Sequence, residues 1–323
     1  MLSVYVPRPN GLAYVERTPQ TPLPPDAVWI DLREVSAEEE QLVEKTLGID
    51  VPTREEMSEI ETSNRFYEDG GALHMTATLV TKLDTDQPER TQVTFILTGS
   101  KLVTNRYTDP LPFRRFISYA SRHPAVATSG AVVLAGLLEA IINRIADVLE
   151  KVGADVDGIS SKIFFRKFDA SAPLDFGHIL VGIGQSGDLV SKASESLVSL
   201  TRLLGFVQQS GTTQVTQDAR ARYRTLSRDV LAMTEHSHYL SNKVQFLLDA
   251  TLGMVSIDQN NVVKIFSVVA VFMLPPSFIA GFFGMNFERM PWLHQPWGLW
   301  VTCGLMVMSA VAPYWYFKRR RWL

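Results

Sequence analysis

One cysteine, Cys303, occurs in 323 residues. A lone thiol excludes an internal disulfide and a cysteine-rich zinc site, and it fits a reducing compartment. Charge is sparse: 20% of residues are charged and the net charge is -3, which argues against general nucleic-acid binding. No P-loop or other phosphate cradle is evident, so no nucleotide partner is expected. His236 and His238 stand two apart on a helical stretch and point to different faces, so they do not form a zinc pair. No nucleophile–base signature or cofactor motif is found, and the chain does not read as an enzyme. The N-terminal MLSVYVPRPN has no basic region followed by a long apolar stretch, so no cleavable signal peptide is expected.

What is present is unevenly placed. Hydrophobic residues make up 46% and the mean hydropathy is +0.04, averages that resemble those of a soluble enzyme. The apolar residues concentrate at the end. Ile265 to Phe283 is about 19 residues without a charge, and Trp297 to Phe317 about 21, each long enough to cross a hydrocarbon core of roughly 30 Å. Ala125 to Leu138 is shorter, and Glu139, Arg144 and Asp147 follow it at helical spacing, which predicts an amphipathic core helix. Lys318, Arg319, Arg320 and Arg321 follow the second apolar run, whereas the connection between the runs holds only Arg289, balanced by Glu288. The positive-inside rule then puts both termini in the cytoplasm. After Lys264 there are five basic residues and one acidic; taken from totals of 31 and 34, these leave 26 and 33 before it. The chain therefore splits into a body of about -7 and a membrane part of about +4.

The first hundred residues carry strand signals at 27–30, 73–80 and 92–97. Ser36 with Glu39 makes a capping box ahead of Leu42 and Val43. From about Pro112 the pattern is helical, with breaks expected near 153–158, 169–173 and 210–213. From Thr216 to Lys264 there is no proline. Leu226, Val230, Met233, Ser237, Leu240, Val244, Leu247, Thr251, Met254 and Asp258 form a heptad stripe. Nothing breaks the pattern before the first span, so one helix over about 216–283 is predicted, roughly 100 Å long. One reading packs the stripe on its own domain. Its continuity into a span favours a stalk bundled with copies of itself. The expected domains are 1–215, a cytoplasmic α/β and helical domain; 216–264, a stalk helix; and 265–323, a membrane domain with spans at 265–283 and 297–317.

The first span closes on Gly281-Phe-Phe-Gly284-Met285-Asn286-Phe287-Glu288-Arg289-Met290-Pro291. Gly284-Met285-Asn286 resembles the signature tripeptide of the CorA family of magnesium channels. The likeness extends to Pro275, Phe278 to Gly281, the terminal Tyr316-Phe317-Lys318 and Arg321-Trp322-Leu323, and Pro52 to Glu56 in the soluble part. Where the family commonly has Met-Pro-Glu-Leu, this chain has Met290-Pro291-Trp292-Leu293, which removes an acidic group from the loop. The resemblance implies an α+β cytoplasmic domain (an α/β/α funnel), a long stalk helix and two transmembrane helices, assembled as a homopentameric channel in the cell inner membrane. It implies magnesium as the transported and regulatory ion, with cobalt or nickel as further cargo.

Magnesium keeps several of its waters when bound by protein, so a selective mouth should offer oxygens to a hydrated ion. Asn286 amides, with Gly284 carbonyls freed at the helix end, fit that requirement, and Met285 and Glu288 complete the mouth. Asn286 also suits a plain helix C-cap. Helical steps inward place Gly281, Ser277, Leu274, Ala270, Phe266, Val263 and Asn260 along the pore, and by resemblance Leu274, Phe266 and Val263 match the family's apolar constriction, with different side chains. By resemblance Asp249 is a regulatory metal ligand. Its partner is Asp84, with Asp86 as the alternative. Two rival functions stand beside this one: a zinc transporter of the related ZntB branch, and a membrane-tethered sensor or scaffold that does not conduct.

Overall fold

The computed structural model describes residues 1–15, 21–82, 88–165, 175–210, 215–285 and 295–319. They fall into two compact units, Met1–Leu248 and Asp249–Leu323, and one helix belongs to both.

The first unit is built on a seven-stranded sheet. Its strands are β1 (Leu2–Arg8), β2 (Gly11–Val15), β3 (Trp29–Arg33), β4 (Phe66–Asp69), β5 (Ala72–Thr81), β6 (Glu89–Thr98) and β7 (Lys101–Arg106). The spatial order is β2-β1-β3-β7-β6-β5-β4. Only the β3–β7 pairing is parallel. The strand signals in the sequence correspond to β3, β5 and β6, which are longer than the apolar runs that announce them. Strands β1, β2, β4 and β7 carry weaker signals: β2 and β4 are partly exposed edge strands, β1 ends on Pro7 and Arg8, and β7 buries the polar residues Thr104, Asn105 and Arg106.

Period-two alternation gives the sheet two covered faces. On one, Ile30, Leu32, Ile96 and Val103 pack with Val43 of α1 (Ala37–Leu47). Ser36 caps α1 with the reciprocal box expected from sequence: its hydroxyl accepts from Glu39 N at 3.3 Å, and the Glu39 carboxylate accepts from Ser36 N at 3.2 Å. The short helices α2 (Arg54–Met57) and α3 (Thr62–Arg65) follow. On the other face, Trp29 lies 5.8 Å from Phe116 of α4 (Leu111–Ala120), and Phe95 lies 6.4 Å from Phe113. A buried polar chain crosses this face. Trp29 Nε1 donates to Thr104 Oγ1 (3.0 Å), Thr104 Oγ1 donates to Asp31 Oδ1 (2.7 Å), and Arg106 donates to both Asp31 oxygens (2.9 and 2.7 Å). Asp31 and Arg106 are each only 3% exposed, so each requires the other.

Three long helices follow: α5 (Gly130–Phe164), α6 (Phe176–Gln209) and α7 (Gln217–Phe283). The break expected near 153–158 does not occur. Val152 and Val156 are buried beside the glycines, and that packing outweighs the roughly 1 kcal/mol cost of each helical glycine. The span 169–173 and the residues 211–213 lie outside the described residues. Helix α7 packs on its own unit. Tyr223 donates from its buried hydroxyl to Ala131 O of α5 at 2.6 Å, Ser237 Oγ donates to Val190 O of α6 at 3.5 Å, and Lys243 pairs with Asp157 of α5. Leu226, Val230, Ser237, Leu240 and Leu247 are buried within the single chain. The self-bundling seam read from this stripe is therefore corrected. Up to Leu247 the heptad face is taken by α5 and α6, because they present the nearest apolar surface.

The second unit holds the C-terminal part of α7 and the helix α8 (Gly298–Arg319). Both helices are long and apolar enough to cross a membrane. Pro275 and Pro276 lie inside α7, which continues through them. Proline has no N–H, so the carbonyls of Val271 and Phe272 each lose their intrahelical donor.

Candidate functional site

The candidate site follows one face of α7 in the second unit. Val268, Phe272, Pro275, Pro276, Ile279 and Phe283 are half-buried. Their spacing marks the side turned to α8, where the Phe272 ring lies 6.2 Å from Tyr314 and 6.3 Å from Phe317. At 100° per residue, Asn260, Val263, Phe266, Ala270, Leu274, Ser277 and Gly281 fall on roughly the opposite side. Each of these is exposed; Val263, Phe266 and Leu274 are 62%, 71% and 66% exposed. The face traced from sequence is thus continuous and is left uncovered by α8.

Its chemistry is mostly apolar, with oxygens at intervals. Ser277 donates its hydroxyl hydrogen to Met273 O at 2.7 Å, which leaves the oxygen's remaining lone pair as an acceptor. The helix ends where the tripeptide begins: Gly284 N donates to Ala280 O at 2.9 Å, and Met285 N to Phe282 O at 3.4 Å. A Cβ at Gly284 would stand 3.1 Å from Ala280 O, a tight approach that glycine avoids. Met285 is 46% exposed. Asn286 and Glu288 lie outside the described residues, as does Asp84. Asp249, the first residue of the second unit, is exposed on α7. Among the described residues no three His, Cys, Asp or Glu side chains cluster to hold a metal. At the far end of α8, Lys318 lies over the Tyr314 ring and Arg319 over Trp315, each at 5.7 Å. Such aromatic–basic pairs suit a membrane–water boundary.

The family model for CorA-like Mg2+ transporter protein matches residues 25–319, a range that takes in both units. The chain belongs to the CorA family. It is similar to the magnesium transport protein CorA of Pasteurella multocida (strain Pm70), 34% identical over 297 residues and 92% of each chain. It is 32% identical to the magnesium transport protein CorA of Escherichia coli (strain K12) over the full length of both. Among solved structures, the complete CorA magnesium transporter of Methanocaldococcus jannaschii superposes with a TM-score of 0.77. That match is 17% identical and covers 100% of this chain and 99% of that one, so it speaks for a shared fold. CorA is a transporter family, in keeping with the absence of enzyme motifs from the sequence.

The CorA-like stretch Pro52 to Glu56 has a structural role that sequence reading left open. Thr53 caps α2 with a reciprocal box to Glu56, and Asn105 of β7 donates to Pro52 O at 2.9 Å. This stretch thereby closes one end of the sheet's α1 face. Strand β5 carries a residue the sequence gave no reason to single out. His74 of β5 is 1% exposed, stacks on Tyr67 at 4.6 Å, and has no hydrogen-bond partner at either ring nitrogen among the described residues. Burial pushes its pKa below the ordinary histidine value, against the smaller opposing pull of Asp69 and Asp50.

Proposed function

We propose that this chain conducts magnesium across the cell inner membrane as a homopentamer, with both termini in the cytoplasm. In this reading 1–215 is the cytoplasmic domain, 216–264 the stalk and 265–323 the membrane domain. The observation that carries it is the uncovered face of α7 opposite α8, ending at Gly284. Five copies of that face around an axis line a pore with Asn260, Val263, Phe266, Leu274, Ser277 and Gly281. A magnesium ion that keeps its waters presents their hydrogens outward, so acceptors serve it best. The Asn286 amide oxygen, the Ser277 hydroxyl and carbonyls at the helix end are of that kind. Rings of Val263, Phe266 and Leu274 gate by dewetting when narrow. Glu288 concentrates cations at the mouth, and Met285 spaces it. A membrane potential of 100 mV supplies about 4.6 kcal/mol to a divalent ion, so no nucleotide is required.

In the same reading, magnesium bound between Asp249 of one subunit and Asp84 of the next holds the channel shut. Loss of the ion leaves like charges facing each other and loosens the assembly. Cobalt and nickel, of the same charge, pass by the same route. Proteoliposome uptake of magnesium, cobalt, nickel and zinc, with and without a pH gradient, tests the proposal. Magnesium flux that Asn286→Ala abolishes, with the oligomer intact, is the expected result. Zinc uptake driven by protons with no magnesium flux would overturn it, and no flux of any ion would favour a non-conducting scaffold. With Asp249→Asn and Asp84→Asn combined, flux should persist at high internal magnesium; normal closure would remove both acids from regulation.

A further inference from the structure

We propose that the prolines of α7 and α8 form one shared pivot in the second unit, about which the ends of both helices nearer their connection swing together against the other ends. Pro275 and Pro276 lie inside α7, and Pro313 lies inside α8. All three are half-buried, so they belong to the sides that the two helices turn to each other.

The level of the prolines follows from the pairing of the helices. The covered side of α7 runs from Val268 to Phe283, and the half-buried residues of α8 include Thr302, Met306, Ser309, Ala310, Pro313 and Phe317. Phe272 sits against Tyr314 and Phe317, with ring centres 6.2 and 6.3 Å away. With that contact fixed, the two sides cover each other along their length only in antiparallel helices. Run parallel, the residues beyond Phe272 would pass the end of α8 at Arg319. Pro275 and Pro276 stand three and four residues beyond Phe272. The same steps back from the midpoint of Tyr314 and Phe317 reach Pro313 to within about one residue, or ~1.5 Å of rise.

A helix bends most easily where its hydrogen-bond ladder is already open. Proline brings no N–H, so Val271 O and Phe272 O in α7 and Ser309 O in α8 have no intrahelical donor. Bending there breaks no hydrogen bond, whereas a bend elsewhere in hydrocarbon parts backbone groups that no water replaces. The nearby hydroxyls do not close the gaps: Ser277 Oγ donates to Met273 O at 2.7 Å and Ser309 Oγ to Met306 O at 2.8 Å. A gap in one helix alone would be an ordinary kink. Gaps at one level in two helices packed on each other let both bend without parting. On one side of that level the Phe272, Tyr314 and Phe317 rings hold the pair together. On the other, the half-buried Phe283 stands at a level between Thr302 and Met306.

Leu274 stands at the pivot, and Ser277, Gly281 and Gly284 lie beyond it. Where the uncovered face of α7 lines a pore, a swing changes the passage from Leu274 outward and leaves Asn260 to Phe266 in place. That consequence rests on the pore reading proposed above; the pivot itself does not.

Cys303, the single cysteine, is exposed on α8 and lies beyond the pivot. The full chain is labelled there with a trifluoromethyl group, placed in lipid nanodiscs and read by fluorine NMR. The straight and bent arrangements give two signals, or one averaged signal whose position reports their ratio. Pro275→Ala with Pro276→Ala restores donors in α7 alone, yet should cut the bent population seen on α8 about tenfold or more. Pro313→Ala should cut it about tenfold, which equals about 1.4 kcal/mol, the net contribution of one hydrogen bond. A spectrum that answers to Pro313→Ala but not to the α7 pair means two independent kinks and overturns the shared pivot. A spectrum that answers to neither overturns it outright. Magnesium uptake into proteoliposomes separates the pivot from the channel reading. An approximately tenfold fall in the α7 pair supports the link. Unchanged uptake beside an altered Cys303 spectrum overturns the link to conduction, and a wild-type chain that carries no magnesium refutes the channel reading while the Cys303 spectrum still decides the pivot.

Discussion

Leu240→Ala tests where the heptad face of α7 is spent. Leu240 is 1% exposed, and its Cδ2 lies 3.7 Å from the place a Cβ on Gly153 of α5 would occupy. Removing the isobutyl end loses transfer energy and leaves a cavity, a change that costs about 2–5 kcal/mol in packed cores. Gly153 presents no side chain to hold the space open, so partial collapse places the cost near about 2.5 kcal/mol. Leu231 supplies the control. It is the same residue type on the same helix, but it is 59% exposed, and its truncation should stay within about 0.5 kcal/mol. The assay is amide hydrogen exchange on the full chain, read in α5 and α6, which avoids reliance on reversible melting. At 1.4 kcal/mol per tenfold, Leu240→Ala should speed exchange there about 60-fold where exchange proceeds by opening of the α5–α7 contact, and Leu231→Ala about twofold or less. Equal effects of the two variants on α5 and α6 would refute the assignment. The stripe would then belong between subunits.

Other outcomes follow from the buried groups of the first unit. Arg106→Met should destabilise the sheet by about 3–5 kcal/mol, because Asp31 is left charged and buried, and Asp31→Leu in the same chain should recover most of the loss. Amide exchange in β3 and β7 reads both. His74 is held neutral in the fold, whereas the unfolded chain takes up a proton below about pH 6.5. Between that pH and the lower folded value the unfolded state binds more protons, so stability should fall as pH drops through this window. His74→Phe keeps a ring on Tyr67 and should flatten that slope in unfolding curves taken from pH 7 to pH 5; an unchanged slope would exclude His74 as its source.

The residues differ in how much of their fate can be read in advance. The two spans are plain in the sequence because crossing hydrocarbon is a demand on each segment by itself: about twenty uncharged residues meet it whatever surrounds them. The Ser36 capping box is legible for the same reason, since donor and acceptor lie three residues apart. The face of α7 from Asn260 to Gly281 follows from helical spacing once its end at Gly284 is known. Other features needed partners far along the chain. Lys101 to Arg106 becomes a central strand because β3 and β6 flank it, and Arg106 becomes buried because Asp31, 75 positions away, neutralises it.

The heptad stripe shows the division most clearly. Periodicity alone determined that one side of α7 is covered, because apolar side chains repeating at three and four residues share a face. Only the tertiary structure decided that α5 and α6 do the covering up to Leu247. Hydrophobic burial is non-directional, so a pattern records that a surface leaves water and carries no information about which surface it meets.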